Sequence, residues 1–273
     1  MVRKTFGIYN EELSDCILFI ETGIEYIACW CKGNETKQVK AFELFSFTEA
    51  EAVSDFENLL KDIQLHSRLL ITKFEKAYCI WGDEKCVCIP QEFYKDEIAD
   101  SYMEMMFGES DETKLCKDTT GDCITLGLIP TKILSAYNNN YTVSANVHKY
   151  HQLLKGQQTS AKENKLYLVF YHSHLILSVF KEGNLQLIQS FSYKVPEDVL
   201  YYVLKIFKTY ELPALETTVY TSGMIDTASP LYKTLNIYIN QFLVEPVNEN
   251  LFAAENFQEY PLHYFAPFCQ YEV

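Results

Sequence analysis

Residues 16–34, "CILFIETGIEYIACWCKGN", and residues 166–184, "LYLVFYHSHLILSVFKEGN", align without a gap at an offset of 150. Each opens on an apolar run, breaks at two or three polar residues, runs apolar again and closes on Gly-Asn. Runs this rich in β-branched and aromatic residues, parted by a short polar break, read as two strands of a hairpin. The elements after each hairpin are shared as well. In the first half, "KQVKAFELFSF" (38–47) reads as a third strand. A helix is expected over 48–63, with Thr48 as N-cap, Glu51 as its capping-box partner, and Phe56, Leu59 and Leu60 as its apolar stripe. "KAYCIWGD" (76–83) and "CVCIP" (86–90) read as short strands, and 92–108 as an amphipathic helix stopped by Gly108. In the second half, "LQLIQSFSY" (185–193) is the third strand. Pro196 opens a helix over 196–210 with Glu197 and Asp198 in its first turn. A strand at 217–223, a helix at 229–241 and a short strand at 242–246 complete the set.

The order β-β-β-α-β-α therefore occurs twice, on either side of the polar linker "KGQQTSAKENK" (155–165). An antiparallel meander followed by alternating helices and strands gives an α/β fold, a mixed sheet with helices on both faces. Written twice, that is the architecture of the actin-like ATPases, two ribonuclease-H-like halves, placed here at residues 1–157 and 158–273. The chain of 273 residues, 48% of them apolar, has ample material for two cores.

Charge narrows the partners. The chain carries 23 basic and 37 acidic residues, a net of −14. Neither a nucleic-acid backbone nor an anionic membrane surface suits such a protein. The first fifteen residues lack the apolar core of a secretory signal, and no stretch approaches the length of a membrane span. Nine cysteines, at 16, 29, 31, 79, 86, 88, 116, 123 and 269, sit largely in strand-like apolar runs. An odd count in buried contexts points to a reducing cytoplasm.

Four segments of the second half, "FKEGNLQLIQSFSY" (180–193), "PEDVLYYVLKIF" (196–207), "VYTSGMID" (219–226) and "HYFAPFCQYE" (263–272), resemble a bacterial family known as domain of unknown function 3822. In the first half "NVHKYHQLL" (146–154) is similar to that family's segment before the linker. The resemblance implies an actin-like fold similar to that of pilus-assembly scaffold proteins. It brings a fold and no activity.

In actin-like ATPases each hairpin turn is a phosphate loop, which needs an Asp for the Mg²⁺ shell and glycines that expose backbone N–H groups. The first break here is Glu21-Thr22-Gly23, with an acid, a hydroxyl and one glycine; the second is His172-Ser173-His174, with neither acid nor glycine. The adenosine-side loop ordinarily carries adjacent glycines, and Thr221-Ser222-Gly223-Met224 leaves one. No two of the ten glycines lie closer than six positions, so no G-G or G-x-G cradle exists. Both breaks read as plain turns, and no cofactor is expected. The alternative is ATP with Mg²⁺, or another anion, in a cleft lined by Glu21, Thr22, Gly23, His172, Ser173, His174 and Gly223. Protonation of His172 and His174 would strengthen anion binding as pH falls from about 7.5 to about 6.

A ribonuclease-H-type nuclease would need Glu21, Asp55 or Glu51, and Asp83 to converge on two metals. In so acidic a chain that coincidence carries little. Cys29-x-Cys31 and Cys86-x-Cys88 share strand faces and read as core rather than zinc ligands. His172-x-His174 reads as a solvated hairpin tip, His148-x-x-His151 as a helix start where an imidazole caps or packs, and "KDTTGD" (117–122) as a loop. Two function classes stand: a non-catalytic actin-fold scaffold that binds another protein, and a nucleotide-binding relative. The 20 tyrosines and 18 phenylalanines favour the first, and leave room for a homo-oligomer.

Overall fold

The computed structural model describes residues 3–10, 12–48, 55–109, 112–157, 162–253 and 255–270. The chain divides into two compact units, Met1–Leu154 with Glu249–Tyr260, and Lys155–Asn248 with Pro261–Tyr271.

In the first unit the strands β1 (Arg3–Tyr9), β2 (Cys16–Thr22), β3 (Tyr26–Gly33) and β4 (Val39–Ser46) are followed by helix α1 (Phe56–Gln64) and strand β5 (Ala77–Trp81). With β9 (Val143–His148) they form a six-stranded sheet in the order β1-β4-β3-β2-β5-β9. β2, β3 and β4 are an antiparallel meander; β5 and β9 continue from β2 in parallel. β2 and β3 are central and buried on both faces, which is why their sequences are apolar almost without alternation. Asp55 caps α1, accepting the Asn58 N–H at 3.1 Å. Phe56, Leu59, Leu60 and Ile63 then bury one stripe at i, i+3, i+4 and i+7, each contributing about 1.5–3 kcal/mol. The described helix begins at Phe56; of the start expected at Thr48, residues 49–54, with the box partner Glu51, lie outside the described residues.

Between β5 and β9 the unit carries an insertion. Strand β6 (Cys86–Pro90) leads through 3₁₀ turns at Gln91–Phe93 and Asp96–Ile98 into helix α2 (Ala99–Phe107), then β7 (Thr113–Thr120) and β8 (Cys123–Pro130). The three strands form a sheet of their own, β6-β8-β7, with a small core of Ala99, Met103, Ile124 and Leu126. The helix expected over 92–108 is thus shortened, because Tyr94 and Lys95 are extended and break its first turns. "KDTTGD" is no loop: it closes the β7–β8 hairpin, with Gly121 supplying the positive φ of the turn. Helix α3 (Thr131–Asn140), β9 and helix α4 (Lys149–Gly156) complete this part of the chain.

The second unit contains β10 (Asn164–Phe170), β11 (His174–Lys181), β12 (Asn184–Ser192), α5 (Pro196–Thr209), β13 (Thr217–Gly223), α6 (Pro230–Tyr238), β14 (Phe242–Val244) and the short helix α7 (Ala266–Cys269). Its sheet runs β12-β11-β10-β13-β14, again a meander plus two parallel strands. The offset between the hairpins is a correction to the sequence alignment. Adding 148 to 16–22 and 26–33 gives 164–170 and 174–181, the bounds of β10 and β11. The alignment at 150 is two residues out. Side chains alternate with period two along a strand, so a slip of two preserves every inward and outward position.

Candidate functional site

With the corrected offset, Glu21 corresponds to Val169, Gly23 to Tyr171 and Tyr26 to His174. The two turns are therefore Gly23–Tyr26 and Tyr171–His174, each closed by the N–H of its first residue donating to the C=O of its last, at 3.0 and 2.9 Å.

Ahead of the first turn, Glu21 is fully buried near the end of β2. Its carboxylate accepts from the Tyr26 hydroxyl at 2.6 Å and from the Lys149 ammonium at 2.6 Å. Lys149 opens α4 and also donates to Gln152 Oε1 at 2.8 Å, one turn further along the same helix face. Both members of the Glu21–Lys149 pair are at 0% exposure. Two unlike charges removed from water hold each other only where geometry and extra hydrogen bonds are good, as Tyr26 and Gln152 ensure here. The Thr22 hydroxyl lies 2.6 Å from the Tyr137 hydroxyl, which is itself buried under Phe56 and Trp81; burial pushes that phenol well up.

Gly23 is glycine for want of space rather than for its φ. A Cβ there would lie 2.1 Å from Cε1 of Tyr26, whose ring covers the Cα. His174 holds the matching position in the second unit: it stacks on Tyr171 with centroids 4.7 Å apart and planes within 4°. The expectation of a solvated tip is corrected in part, since His172 and Ser173 are exposed but His174 is buried. Gly223 has φ +81°, and a Cβ there would meet the Phe170 carbonyl oxygen at 2.2 Å. The next N–H groups are engaged as well, Met224 to Phe170 O and Ile225 to Gly223 O, both at 2.8 Å.

The carboxylates proposed for a nuclease have separate employments. Glu21 is paired with Lys149, Asp55 caps α1, and Asp83 accepts the Lys85 N–H at 2.9 Å. Among the described residues no group of three His, Cys, Asp or Glu side chains is placed to hold a metal ion. Cys29, Cys31 and Cys86 are buried thiols, Cys88 a half-buried one. His148 caps and packs: its Nδ1 accepts the Tyr150 N–H at 3.1 Å, its Nε2 donates to Asp83 O at 2.9 Å, and its ring lies against Gly127. His151 Nδ1 sits 2.6 Å from the Thr120 hydroxyl. Tyr26, Lys149, Gln152 and Tyr171 were not singled out from sequence. The available signal is a lysine and a glutamine three apart, Lys149 and Gln152, in "HKYHQLL" (148–154).

A family profile described as "Protein of unknown function (DUF3822)" matches residues 6–242. The chain belongs to this family. No curated protein sequence matches this DUF3822 chain. Among solved structures it is similar to a Bacteroides thetaiotaomicron protein with actin-like ATPase fold and unknown function, at a TM-score of 0.72 and 15% identity, over 85% of this chain and 91% of that one. It is also similar to a chain of the PilM–PilN type IV pilus biogenesis complex (TM-score 0.61, 11% identity, 92% and 96% covered). A third is ethanolamine utilization protein EutJ from Carboxydothermus hydrogenoformans (0.50, 9%, 88% and 87%). The fold of this DUF3822 member is thus that of the actin-like ATPases, α/β with two ribonuclease-H-like halves. No helix among its described residues is long and apolar enough to cross a membrane.

Proposed function

We propose that this protein is a non-catalytic scaffold of actin-like fold, cytoplasmic, whose task is to hold another protein and not to turn over nucleotide. Its halves, set from sequence at 1–157 and 158–273, descend in this reading from one duplicated unit whose phosphate loops have degenerated. The observation that carries the proposal is the state of the turn amides. A phosphate loop needs N–H groups directed outward at the anion. Here Gly23 and Tyr171 donate across their own turns, Met224 donates to Phe170 O, and the ring of Tyr26 lies on Gly23. The acid at Glu21, where a metal shell would be anchored, is instead neutralised internally by Lys149. The solved pilus relative is a complex with a second protein, which supports the scaffold class.

The test is a thermal-shift and hydrolysis series with ATP, ADP and Mg²⁺, followed by affinity capture from the native cell. Neither nucleotide is expected to move the melting temperature, no Mg²⁺-dependent turnover is expected, and one protein should co-purify in stoichiometric amount. Turnover that disappears in Glu21→Gln, with the fold intact by circular dichroism, overturns the reading in favour of a nucleotide-binding relative.

A further inference from the structure

Among the described residues the insertion of the first unit has no counterpart in the second, and its helix leaves an apolar stripe in solvent. Ala99 and Met103 seat α2 on the β6-β8-β7 sheet. Beside that buried edge, Ile98, Met105 and Met106 are 51%, 72% and 49% exposed, and Phe93 in the preceding turn is 68% exposed. Ile98, the half-buried Tyr102, Met105 and Met106 stand at i, i+4, i+7 and i+8, which places them on one side of the helix. On the far side of this stripe come Glu97, Asp100 and Glu104, all exposed. Residues 92–109 hold six acids (92, 96, 97, 100, 104 and 109) against one base, Lys95, a formal charge of −5. Lys117, the cation that reaches this segment from β7, is paired with Asp96 at 2.7 Å.

We infer that the α2 stripe docks a cationic amphipathic helix of another protein. The inference rests on the scaffold reading and gives that scaffold's partner a chemistry. Exposed apolar side chains of this size in one row mark a contact surface. Two adjacent methionines, unbranched and polarizable, adapt to the knobs of a partner helix. The carboxylates along one side demand lysine or arginine from whatever covers the row, and steer it there. A second copy docking by the same face would bring −5 against −5, so self-pairing through α2 is disfavoured.

The probe is a fluorescent eighteen-residue leucine/lysine peptide with leucines at helical i, i+3, i+4, i+7 spacing. Controls are the same composition scrambled off one face and a leucine/glutamate peptide of the same pattern. Binding is read by anisotropy, and located by the ε-methyl NMR signals of methionine, assigned through Met105→Leu and Met106→Leu. The leucine/lysine peptide is expected to move the Met105 and Met106 signals and leave that of Met224 in place. The paired substitution Ile98→Lys/Met105→Lys should weaken binding by about tenfold or more. Glu97→Gln/Asp100→Gln/Glu104→Gln should weaken it and flatten its salt dependence. Absence of binding, equal binding of the scrambled peptide, or binding with both methionine signals unmoved overturns the assignment. Concentration-dependent self-association abolished by Met105→Lys would also overturn it, assigning the stripe to a second copy. Nucleotide turnover with the peptide still bound at Met105 would sink the scaffold reading and leave the docking surface standing.

Discussion

Glu21 and Lys149 are a pair that neither residue survives alone. Each is a charge at 0% exposure, 2.6 Å from its partner. Lys149→Met should destabilise the protein by about 3–5 kcal/mol, because it strands a buried carboxylate. Glu21→Leu should cost a similar amount for the converse reason. The double variant Glu21→Leu/Lys149→Met should lose much less than the sum, since well-packed apolar residues replace a buried ion pair at little cost. Urea unfolding of the four proteins closes the cycle; additive losses would mean that the two side chains do not act as a pair. Glu43 is a second buried acid, this time on β4. Lys4 donates to it at 2.8 Å, Arg68 and Leu69 through their backbone N–H groups, and Tyr9 and Ser67 through their hydroxyls. Burial alone would raise its carboxyl, but the Lys4, Ser67 and Tyr9 donors outweigh burial and hold it below the usual range. Both acids lie inside apolar strand sequences, where an isolated Glu gives no hint of which cation answers it from 39 or 128 residues away.

At the scale of elements, the junction of β9 and α4 carries the pH response. Burial lowers His148 from 6.5 to about 4. Its neutral form is needed because Nδ1 accepts the Tyr150 N–H. A histidine depressed in the folded state contributes stability above its unfolded pKa of about 6.5, and that stability drains away as pH falls toward 4. The loss should reach roughly 3 kcal/mol at the lower end. Urea midpoints for the wild type and His148→Gln should converge as pH drops from 7 to 4.5; parallel curves would show that His148 does not set the slope. The elements themselves were largely legible in the sequence. β2, β3, β10 and β11 are central strands written in long apolar runs, and α1 and α5 carry a buried stripe. What stayed hidden has physical causes. β7 exposes one face at the rim of a small sheet, so "TKLCKDTT" shows only weak apolar patterning. The slip from 148 to 150 conserves facing and so left no trace in hydropathy, yet it misplaced the second turn by two residues. An offset of 150 sets His172 and Ser173 opposite Thr22 and Gly23 and hides the stacked pair Tyr171–His174.

At the scale of the molecule, both tryptophans, Trp30 and Trp81, belong to the first unit, so their fluorescence reports on that unit. The segment Glu249–Tyr260 belongs to it as well. Ala253 N–H donates to Val39 O at 3.0 Å, Phe6 meets Tyr260 edge-on at 4.6 Å, and Phe257 is fully buried against Phe252. Phe257→Ala should lower the tryptophan-detected stability by about 3–5 kcal/mol; an unchanged urea midpoint would show that this segment is dispensable. The late return of these residues has a bearing on synthesis. Leu154 leaves the ribosome, and 94 residues, 155–248, pass before Glu249 emerges. At about 5–20 residues per second that is an interval of roughly 5–19 s. Throughout it the nascent first unit lacks the aromatic residues that meet Phe6 and the start of β4 at Val39, and by its end the second unit's whole sheet, ending at Val244, is already out. The half of the protein made first therefore stays incomplete while most of the other is made, and an apolar seam is open to chaperones until residues 249–260 emerge.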